Sequence, residues 1–214
     1  MKELYIDTSL TDVSIALLSS GKVIASTCKN TQNKHSEYAV KYISELLEQS
    51  NIKPNEINRI YVVNGPGSFT GVRIGVTIAK TYAYLNNINI IPVSSLKALA
   101  LSIKTNKSPI MSLIDFKHNN YYVGLYDSNY NEIIKETFTN IDNVQKIINK
   151  YSPTLVSSNN TIIDNTKLSK CILDIQEIVK YYQDKEEINP HKLKINYLKE
   201  PQAVEELYDN RERK

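Results

Sequence analysis

Residues 60–75 read IYVVNGPGSFTGVRIG, an apolar run followed by closely spaced glycines and then by a helical pattern. The apolar run predicts a strand at about Arg59–Asn64, and the spacing downstream predicts a helix at about Phe69–Leu85. Gly65 and Gly67 allow the chain to turn sharply between the two elements. A strand, a glycine turn and a helix in this order are typical of α/β proteins.

This turn has features of an anion site. Ser68 or Thr70 can cap the first amides of the helix, and a helix N-terminus preceded by glycines can bind an anion. The spacing G-x-G-x-x-x-G is one residue longer than the dinucleotide fingerprint, and no acidic residue lies near Ile91, where a ribose partner is expected. No G-K-[ST] motif is present either. Gly67 and Ser68 are therefore candidates for a phosphate loop, with a plain tight turn as the alternative.

The helix that follows carries two different stripes. Small residues recur every four positions: Gly71, Gly75, Ala79 and Ala83. Glycine inside a helix costs about 1 kcal/mol relative to alanine, so this pattern needs a structural reason. Either the stripe packs closely on the protein's own sheet, or it is a docking surface for a partner's helix, and we predict the docking surface. A second stripe of branched residues is predicted to face the protein's own core: Ile74, Ile78 and Leu85.

A second helix, predicted at Ser36–Ser50, has an unusually broad apolar face. Ser36 is expected to cap it, and an ordinary core stripe runs along it. Tyr38 and Tyr42 widen this stripe by one column, and tyrosine is enriched at protein interfaces. We therefore predict that Tyr38 and Tyr42 belong to the same partner surface as the small-residue stripe.

The chain repeats one order of elements. Strands in the first half are predicted at Leu4–Asp7, Val13–Leu17, Val23–Cys28 and Ile88–Val93, with a helix starting at Ser94 or Ser95. The second half is predicted to hold strands at Pro109–Asp115, Tyr121–Tyr126, Ile133–Phe138, Thr154–Ser157 and Cys171–Ile175, and helices at Asn143–Tyr151 and Gln176–Gln183. We therefore expect two α/β units with mixed sheets, at residues 1–105 and 106–188, and a polar arm at 189–214.

Composition excludes several classes of protein. Hydrophobic residues make up 41% of the 214 residues, and the formal net charge of +3 is too small to indicate strong nucleic-acid binding. Two separated cysteines and three scattered histidines predict neither a disulfide framework nor a metal site. No apolar run approaches about 20 residues, and the N-terminus does not resemble a signal peptide. We expect a cytoplasmic protein that does not bind membranes.

Five segments together resemble one known family: LYIDTS (4–9), KHSEYAVKYISELL (34–47), GPGSFTGVRIGVTIAK (65–80), INIIPVSSLKALA (88–100) and YLKEPQAVEEL (197–207). They are similar to the TsaB (YeaZ) family, and GPGSFTGxRIG is the most specific of these motifs. The resemblance covers most of residues 1–100 and then thins until the C-terminal arm. It implies a duplicated actin-like (ASKHA, ribonuclease-H-like) α/β fold with mixed sheets flanked by helices.

The resemblance also implies a function. The chain would be a non-catalytic subunit of the bacterial machinery that makes threonylcarbamoyladenosine in tRNA. Its partners would be the catalytic paralogue TsaD and the ATPase TsaE, and it would pair with TsaD, or with itself, through the helices that begin at Ser36 and Phe69. The chain alone would bind no cofactor, ATP and a metal would belong to the partner subunits, and tRNA would be contacted only indirectly. One departure from the family pattern is Asp115-Phe116-Lys117, where Asp-Ala-Arg is common.

Two enzymatic alternatives remain. In the first, a small-molecule kinase of the actin-like superfamily, Asp7, Thr8 and Ser9 would form the first phosphate loop, although Asp7 also suits a turn between strands. The lack of glycine after Gly124 argues against this kinase. In the second, a glycoprotease-like hydrolase, Ser94 and Lys97 would form an S-x-x-K motif. Neither alternative is expected to outrank the non-catalytic subunit.

Overall fold

The computed structural model describes residues 1–32, 34–105, 107–163 and 166–199. Its first half consists of β1 (Lys2–Asp7), β2 (Asp12–Ser19), β3 (Lys22–Asn30), α1 (His35–Gln49), β4 (Ile57–Gly65), α2 (Phe69–Asn86), β5 (Asn89–Ser94) and α3 (Ser95–Ser102). The strands form a first sheet in the order β3-β2-β1-β4-β5. β1, β4 and β5 are parallel, whereas β2 and β3 continue the sheet as antiparallel neighbours.

The second half repeats this arrangement. Its elements are β6 (Ile110–Asp115), β7 (Asn120–Tyr126), β8 (Glu132–Asn140), α4 (Ile141–Tyr151), β9 (Thr154–Ser157), β10 (Thr161–Ile163), β11 (Thr166–Leu168) and α5 (Ile175–Tyr182). A second sheet has the order β8-β7-β6-β9, with β6 and β9 parallel, and β10 and β11 form a short hairpin. The predicted α/β fold with two mixed sheets flanked by helices is therefore confirmed.

Alternating side chains give the first sheet two packed faces. Leu4 and Ile6 of β1 point to the face covered by α1 and α2, while Tyr5 points to the face covered by α3 and α5. Helix α3 also packs against the second sheet through Leu96 and Leu99. Helix α5, the last α-helix among the described residues, thus packs on the first sheet, and α3 lies between the two sheets.

Two local predictions were wrong, and one pair of strands was missed. Helix α1 begins at His35, one residue before the predicted start, and Lys34 rather than Ser36 occupies its N-cap position, without a side-chain hydrogen bond. Residues 171–174, which the structure describes, form no strand, because the Asp174 carboxylate accepts the Glu177 amide at 3.2 Å and starts α5 at Ile175. The β10–β11 hairpin was missed because three-residue strands carry too short a pattern.

The segment after α5 runs back along the first sheet. Ile188 pairs with Ile90 of β5, and the Asn196 amide donates to the Asn64 carbonyl at 2.8 Å. Residues 189–199 of the predicted arm therefore lie beside β5 and the β4–α2 turn, whereas residues 200–214 lie outside the described residues. In the part of the chain that the structure describes, no helix is long and apolar enough to cross a membrane.

Candidate functional site

The carboxyl ends of parallel strands from both sheets meet at one cleft of about 520 Å³. The loops that follow β1 and β4 supply one wall, and the loops that follow β6 and β9 supply the other. Ligands of open α/β proteins bind outside the carboxyl ends of the strands, so this cleft is the first place to look for a site. It contains Ser9, Gly67 and Ser68, three of the predicted phosphate-loop residues.

The other two predicted loop residues, Asp7 and Thr8, are buried beneath this cleft. One carboxylate oxygen of Asp7 accepts hydrogen bonds from the Ser9 amide at 2.8 Å and from the Ser9 hydroxyl at 2.7 Å. Burial raises the pKa of Asp7, and the two bonds from Ser9 act in the opposite direction. Asp7 therefore serves to hold the turn between β1 and β2, which was the alternative interpretation.

Gly67 and Ser68 join this turn to α2. The Ser68 amide donates to the Ser9 carbonyl at 2.8 Å, and the Ser68 hydroxyl accepts the Gly71 amide at 3.2 Å, which confirms Ser68 as the helix cap. A Cβ atom at Gly67 would overlap the Ser9 carbonyl oxygen, so glycine is required for this close approach. The structure thus brings the five predicted loop residues together, and most of their polar groups bond to one another.

The small-residue stripe of α2 faces the protein's own first sheet. All four members are buried: Gly71, Gly75, Ala79 and Ala83. A Cβ atom on Gly71 would overlap the Thr8 carbonyl, and one on Gly75 would overlap the Thr8 hydroxyl. The prediction that this stripe docks a partner's helix was therefore wrong, because the close backbone approach it permits is used within the chain.

The branched stripe of α2 was predicted to face the core, and this prediction was wrong for its outer end. Leu85 is 74% exposed, while Ile74 and Ile78 are only partly buried. On α1, which packs against α2, Val40 is 56% exposed. The branched stripe of α2 is thus exposed at Leu85, whereas Ile78 packs against the core of the first sheet as predicted. We call Val40, Ile74, Ile78 and Leu85 the outer face of α1 and α2.

The two tyrosines of α1 differ in burial. Tyr42 is buried and belongs to the core beneath α1, whereas Tyr38 is partly buried at the edge of that core. Their ring centroids are 5.6 Å apart. Tyr42 is thus a core residue rather than the predicted interface residue, and Tyr38 remains at the margin of the outer face.

Comparison with known proteins identifies the family. A family model described as TsaD, tRNA N6-adenosine threonylcarbamoyltransferase, matches residues 23–178. The tRNA threonylcarbamoyladenosine biosynthesis protein TsaB of Bacillus subtilis is 40% identical over 126 residues, which are 59% of this chain and 55% of that protein. The protein of that name from Buchnera aphidicola subsp. Baizongia pistaciae is 31% identical over 69% of this chain and 68% of its own length. The chain belongs to the TsaB (YeaZ) family.

A solved structure shows the same fold. YeaZ from Pseudomonas aeruginosa superimposes with a TM-score of 0.74 at 18% identity, over 92% of this chain and 99% of that chain. The match to the Bacillus subtilis TsaB, in contrast, spans only about half of that protein's length. The fold of this chain is therefore that of YeaZ, with two mixed sheets flanked by helices.

In this TsaB-family chain, the S-x-x-K residues do not form a nucleophile–base pair. The Ser94 hydroxyl donates to the Glu136 carboxylate and accepts the Lys97 amide at 3.2 Å, which makes Ser94 the cap of α3. The Lys97 ammonium donates to the Tyr130 carbonyl and lies 4.0 Å from the centre of the Tyr126 ring. Burial lowers the pKa of Lys97. This geometry gives the glycoprotease-like alternative no support.

Glu136 is a residue that the sequence did not single out. It lies on β8 and accepts hydrogen bonds from Ser94, from Tyr126 at 2.9 Å and from Asn196 at 3.4 Å. Burial raises the pKa of this carboxyl group, and the bonds from Ser94 and Tyr126 lower it. Glu136 therefore links the second sheet to α3 and to the C-terminal segment. In the sequence, Glu136 stands out only as an acidic residue within the alternating pattern of β8, a strand at the edge of its sheet.

Asp115, Phe116 and Lys117, which stand where the family often has Asp-Ala-Arg, all line the cleft. The Lys117 amide donates to the Asp115 carboxylate at 2.7 Å, and the Phe116 ring packs edge-on against Tyr122 and Phe138. Among the described residues, no group of three or more His, Cys, Asp or Glu side chains is placed to hold a metal ion. The wall of the cleft that comes from the second half thus includes two aromatic rings, Phe116 and Tyr122, and the exposed Lys117.

Proposed function

We propose that this TsaB-family chain is a non-catalytic subunit that supports threonylcarbamoyladenosine synthesis in tRNA by docking a TsaD-like paralogue. Family membership supports the pathway, since the relatives are named for this biosynthesis. The observation that supports docking is the outer face of α1 and α2. A TsaE-like ATPase would join the same assembly, and the outer face would also serve a homodimer of the isolated chain.

The outer face has the character of an interface. Val40 of α1 and Leu85 of α2 are more than half exposed, and Ile74 and Ile78 of α2 are partly exposed. Charged residues border them, including the Lys41–Glu45 pair at 3.8 Å and the exposed Arg73. An apolar centre with a polar rim is the usual anatomy of a protein interface. Burial of this patch by a partner would remove apolar area from water, which is the main favourable term in association.

The test is one charged substitution with a matched control. Leu85→Glu places a carboxylate in the proposed interface, and an unpaired buried charge costs several kcal/mol. A micromolar complex is worth about 8 kcal/mol, so association should become undetectable. Ile172→Glu makes the same change at a residue that is 83% exposed in the loop before α5, far from the outer face in sequence. It should leave association unchanged.

The measurement is size-exclusion chromatography of the chain mixed with the TsaD paralogue from the same organism. Loss of the complex with Leu85→Glu, but not with Ile172→Glu, supports the proposal. A complex that survives Leu85→Glu and Val40→Glu together contradicts it. The same runs without the paralogue report whether the chain forms a homodimer through this face.

The proposal assigns ATP and metal to the partner subunits. We expect no ATP hydrolysis and no tRNA modification by the purified chain alone, because Asp7 is buried and bonded to Ser9 rather than presented to the cleft. Turnover by the lone chain that disappears with Asp7→Ala would favour the kinase alternative instead.

A further inference from the structure

The segment that follows α5 contacts both halves of the molecule. Ile188 pairs with Ile90 of β5, and Leu193 is buried in the core between the first sheet and helices α1 and α2. Farther along, Leu198 packs against the core that α3 shares with the second sheet. We call residues 188–199 the strap, because one continuous stretch leads from the first sheet to the second.

The middle of the strap pairs with the turn between β4 and α2. The Asn196 amide donates to the Asn64 carbonyl at 2.8 Å, and the Asn64 side-chain amide donates to the Lys194 carbonyl at 2.9 Å. Gly65 lies against this pairing with a φ of +112°, and a Cβ atom there would be 2.8 Å from the Asn196 carbonyl oxygen. Both the positive φ and the close approach require glycine. The first glycine of the glycine-rich motif is therefore needed to seat the strap.

Two further residues of the same motif hold Tyr197. The centres of the Tyr197 and Phe69 rings are 5.5 Å apart. The Arg73 guanidinium lies 3.7 Å from the centre of the Phe69 ring, and its Nε donates to the Tyr197 hydroxyl at 2.8 Å. A guanidinium is attracted to the face of an aromatic ring. The segments GPGSFTGVRIGVTIAK and YLKEPQAVEEL, separate in the sequence, are thus in contact through these three side chains.

The end of the strap reaches the second half. The Asn196 side-chain amide donates to the Glu136 carboxylate at 3.4 Å. The Lys199 ammonium lies 5.0 Å from the centre of the Phe138 ring. Glu136 and Phe138 both belong to β8. Residues 196–199 therefore contact the second sheet directly after the residues that pair with the first half.

We propose that the strap locks the two halves in one relative orientation, with Phe69 and Arg73 as its seat on the first half. Halves that are joined through one element can rotate about it, as in hinge motions. Helix α3 packs on both sheets and is such an element. The strap adds a link at the β4–α2 turn that rotation about α3 would have to break. The lock acts in the free chain, so it holds or fails independently of docking.

The experiment measures the distance between the halves of the full chain by double electron–electron resonance. Nitroxide labels are attached at two exposed positions, through Asn55→Cys in the first half and Asn149→Cys in the second. Cys28→Ser and Cys171→Ser first remove the native thiols. Dilution with unlabelled chain restricts the signal to distances within one chain. Locked halves give a single narrow distribution of distances, and a broad or two-peaked distribution overturns the proposal.

A matched pair of double variants tests the end of the strap. Leu198→Ser with Lys199→Ala removes two of its contacts with the second half. The width of the distribution should increase roughly twofold or more, because halves joined at fewer points rotate relative to each other. Ile162→Ser with Lys194→Ala makes similar changes at two exposed side chains and should leave the width unchanged. Equal widths in the two double variants overturn the proposal.

Arg73→Ala tests the seat and decides the outcome if the double variant does not fold. The Arg73 side chain is exposed, so this chain should melt within about 5 °C of the wild type. The width should again increase, because the bond to Tyr197 and the contact with the Phe69 ring are lost. Thr77→Ala, at an exposed residue of the same helix, is the control and should keep the wild-type width. A folded Arg73→Ala chain with the wild-type width overturns the proposal.

Discussion

One side of α2 lies against β1 and the β1–β2 turn, and the other lies in solvent. The buried side consists of Gly71, Gly75, Ala79 and Ala83, and the exposed side ends in Leu85. Small side chains let a helix approach another backbone closely, and here that backbone is the protein's own. Leu85, on the other side of the helix, is instead 74% exposed. Small side chains on one side of a helix therefore indicate that another backbone lies close to that side, but not whether this backbone belongs to the same chain. The exposed fraction of the side chains shows which side of the helix is accessible to a partner.

The largest effect should come from a charge on the buried side. Ala79 is fully buried, so Ala79→Glu forces a carboxylate into the core without a partner. We expect a loss of about 4 kcal/mol or more in unfolding free energy, enough to unfold a domain of ordinary stability. Thermal melting by circular dichroism measures the effect.

Thr77→Glu is the control for Ala79→Glu, because Thr77 lies two residues away on the exposed side of the same helix. Its melting temperature should stay close to that of the wild type. If Ala79→Glu melts normally, the small-residue stripe is not packed as described, and the docking surface predicted from the sequence returns as the better interpretation.

A smaller loss should follow from one added methyl group. In Gly71→Ala, the new Cβ would overlap the Thr8 carbonyl, so the β1–β2 turn or the helix must shift. Overpacking costs about 1–3 kcal/mol, and a clash with a backbone oxygen favours the upper part of this range, above the gain of about 1 kcal/mol from replacing glycine in a helix. Urea denaturation measures the difference. Thr70→Ala, at the exposed neighbour, should change stability by less than about 0.5 kcal/mol, and a stabilised Gly71→Ala chain would contradict the contact.

Much of the fold could be predicted from the sequence because most elements carry a long, regular pattern. β9 begins at Thr154 and ends at Ser157 as predicted, and α2 begins at Phe69 as predicted. The strand predicted at Cys171–Ile175 was wrong because a single side chain decides where the next helix begins. Asp174 starts α5 within an apolar run that otherwise resembles a strand, and no periodicity contains that information.

The site could be predicted only in part, because its residues come from separate loops. Spacing identified the Ser68 cap and the glycines around it, since these contacts are local. Ser158, which lines the cleft, and Glu136 became relevant only when the two sheets were placed together. The orientation of α2 could not be predicted from the sequence either. Both of its stripes are apolar, and periodicity does not indicate which stripe faces the chain's own sheet.

The bond between the β1–β2 turn and α2 should contribute a more modest amount. The Thr8 hydroxyl donates to the Gly71 carbonyl at 2.6 Å in a buried setting. Thr8→Val keeps the shape of the side chain and removes the donor, and we expect a loss of about 1 kcal/mol. In Thr8→Val combined with Gly71→Ala, the losses should not add, because the two residues are in contact. Additive losses in urea denaturation would show that the contact is not direct.

Asp7, at the end of β1, should make the free energy of unfolding depend on pH. Burial raises the pKa of Asp7 in the folded chain above the ordinary value of 3.8. Between pH 3.8 and this raised pKa, Asp7 is therefore more protonated in the folded chain than in the unfolded chain. Stability from this group is present below pH 3.8 and is lost as the pH rises through the raised pKa. Asp7→Asn retains an oxygen to accept both Ser9 bonds and should therefore gain stability relative to the wild type from pH 4 to pH 7. A difference that stays constant across this range would contradict the assignment.

The smallest effect should be on the exposed side. Leu85 is 74% exposed at the end of α2, so Leu85→Ser removes few contacts in the isolated chain. Serine is a weaker helix former than leucine by a few tenths of a kcal/mol, and this difference matters little in the last turn. We expect a change of less than about 0.5 kcal/mol in unfolding free energy, whereas Leu99→Ser, at a fully buried leucine of α3, should cost about 2 kcal/mol or more. Urea denaturation of dilute protein tests the pair. A large loss for Leu85→Ser at low concentration would mean that this leucine supports the chain's own fold, and a loss that grows with protein concentration would mean that a second copy already covers the outer face.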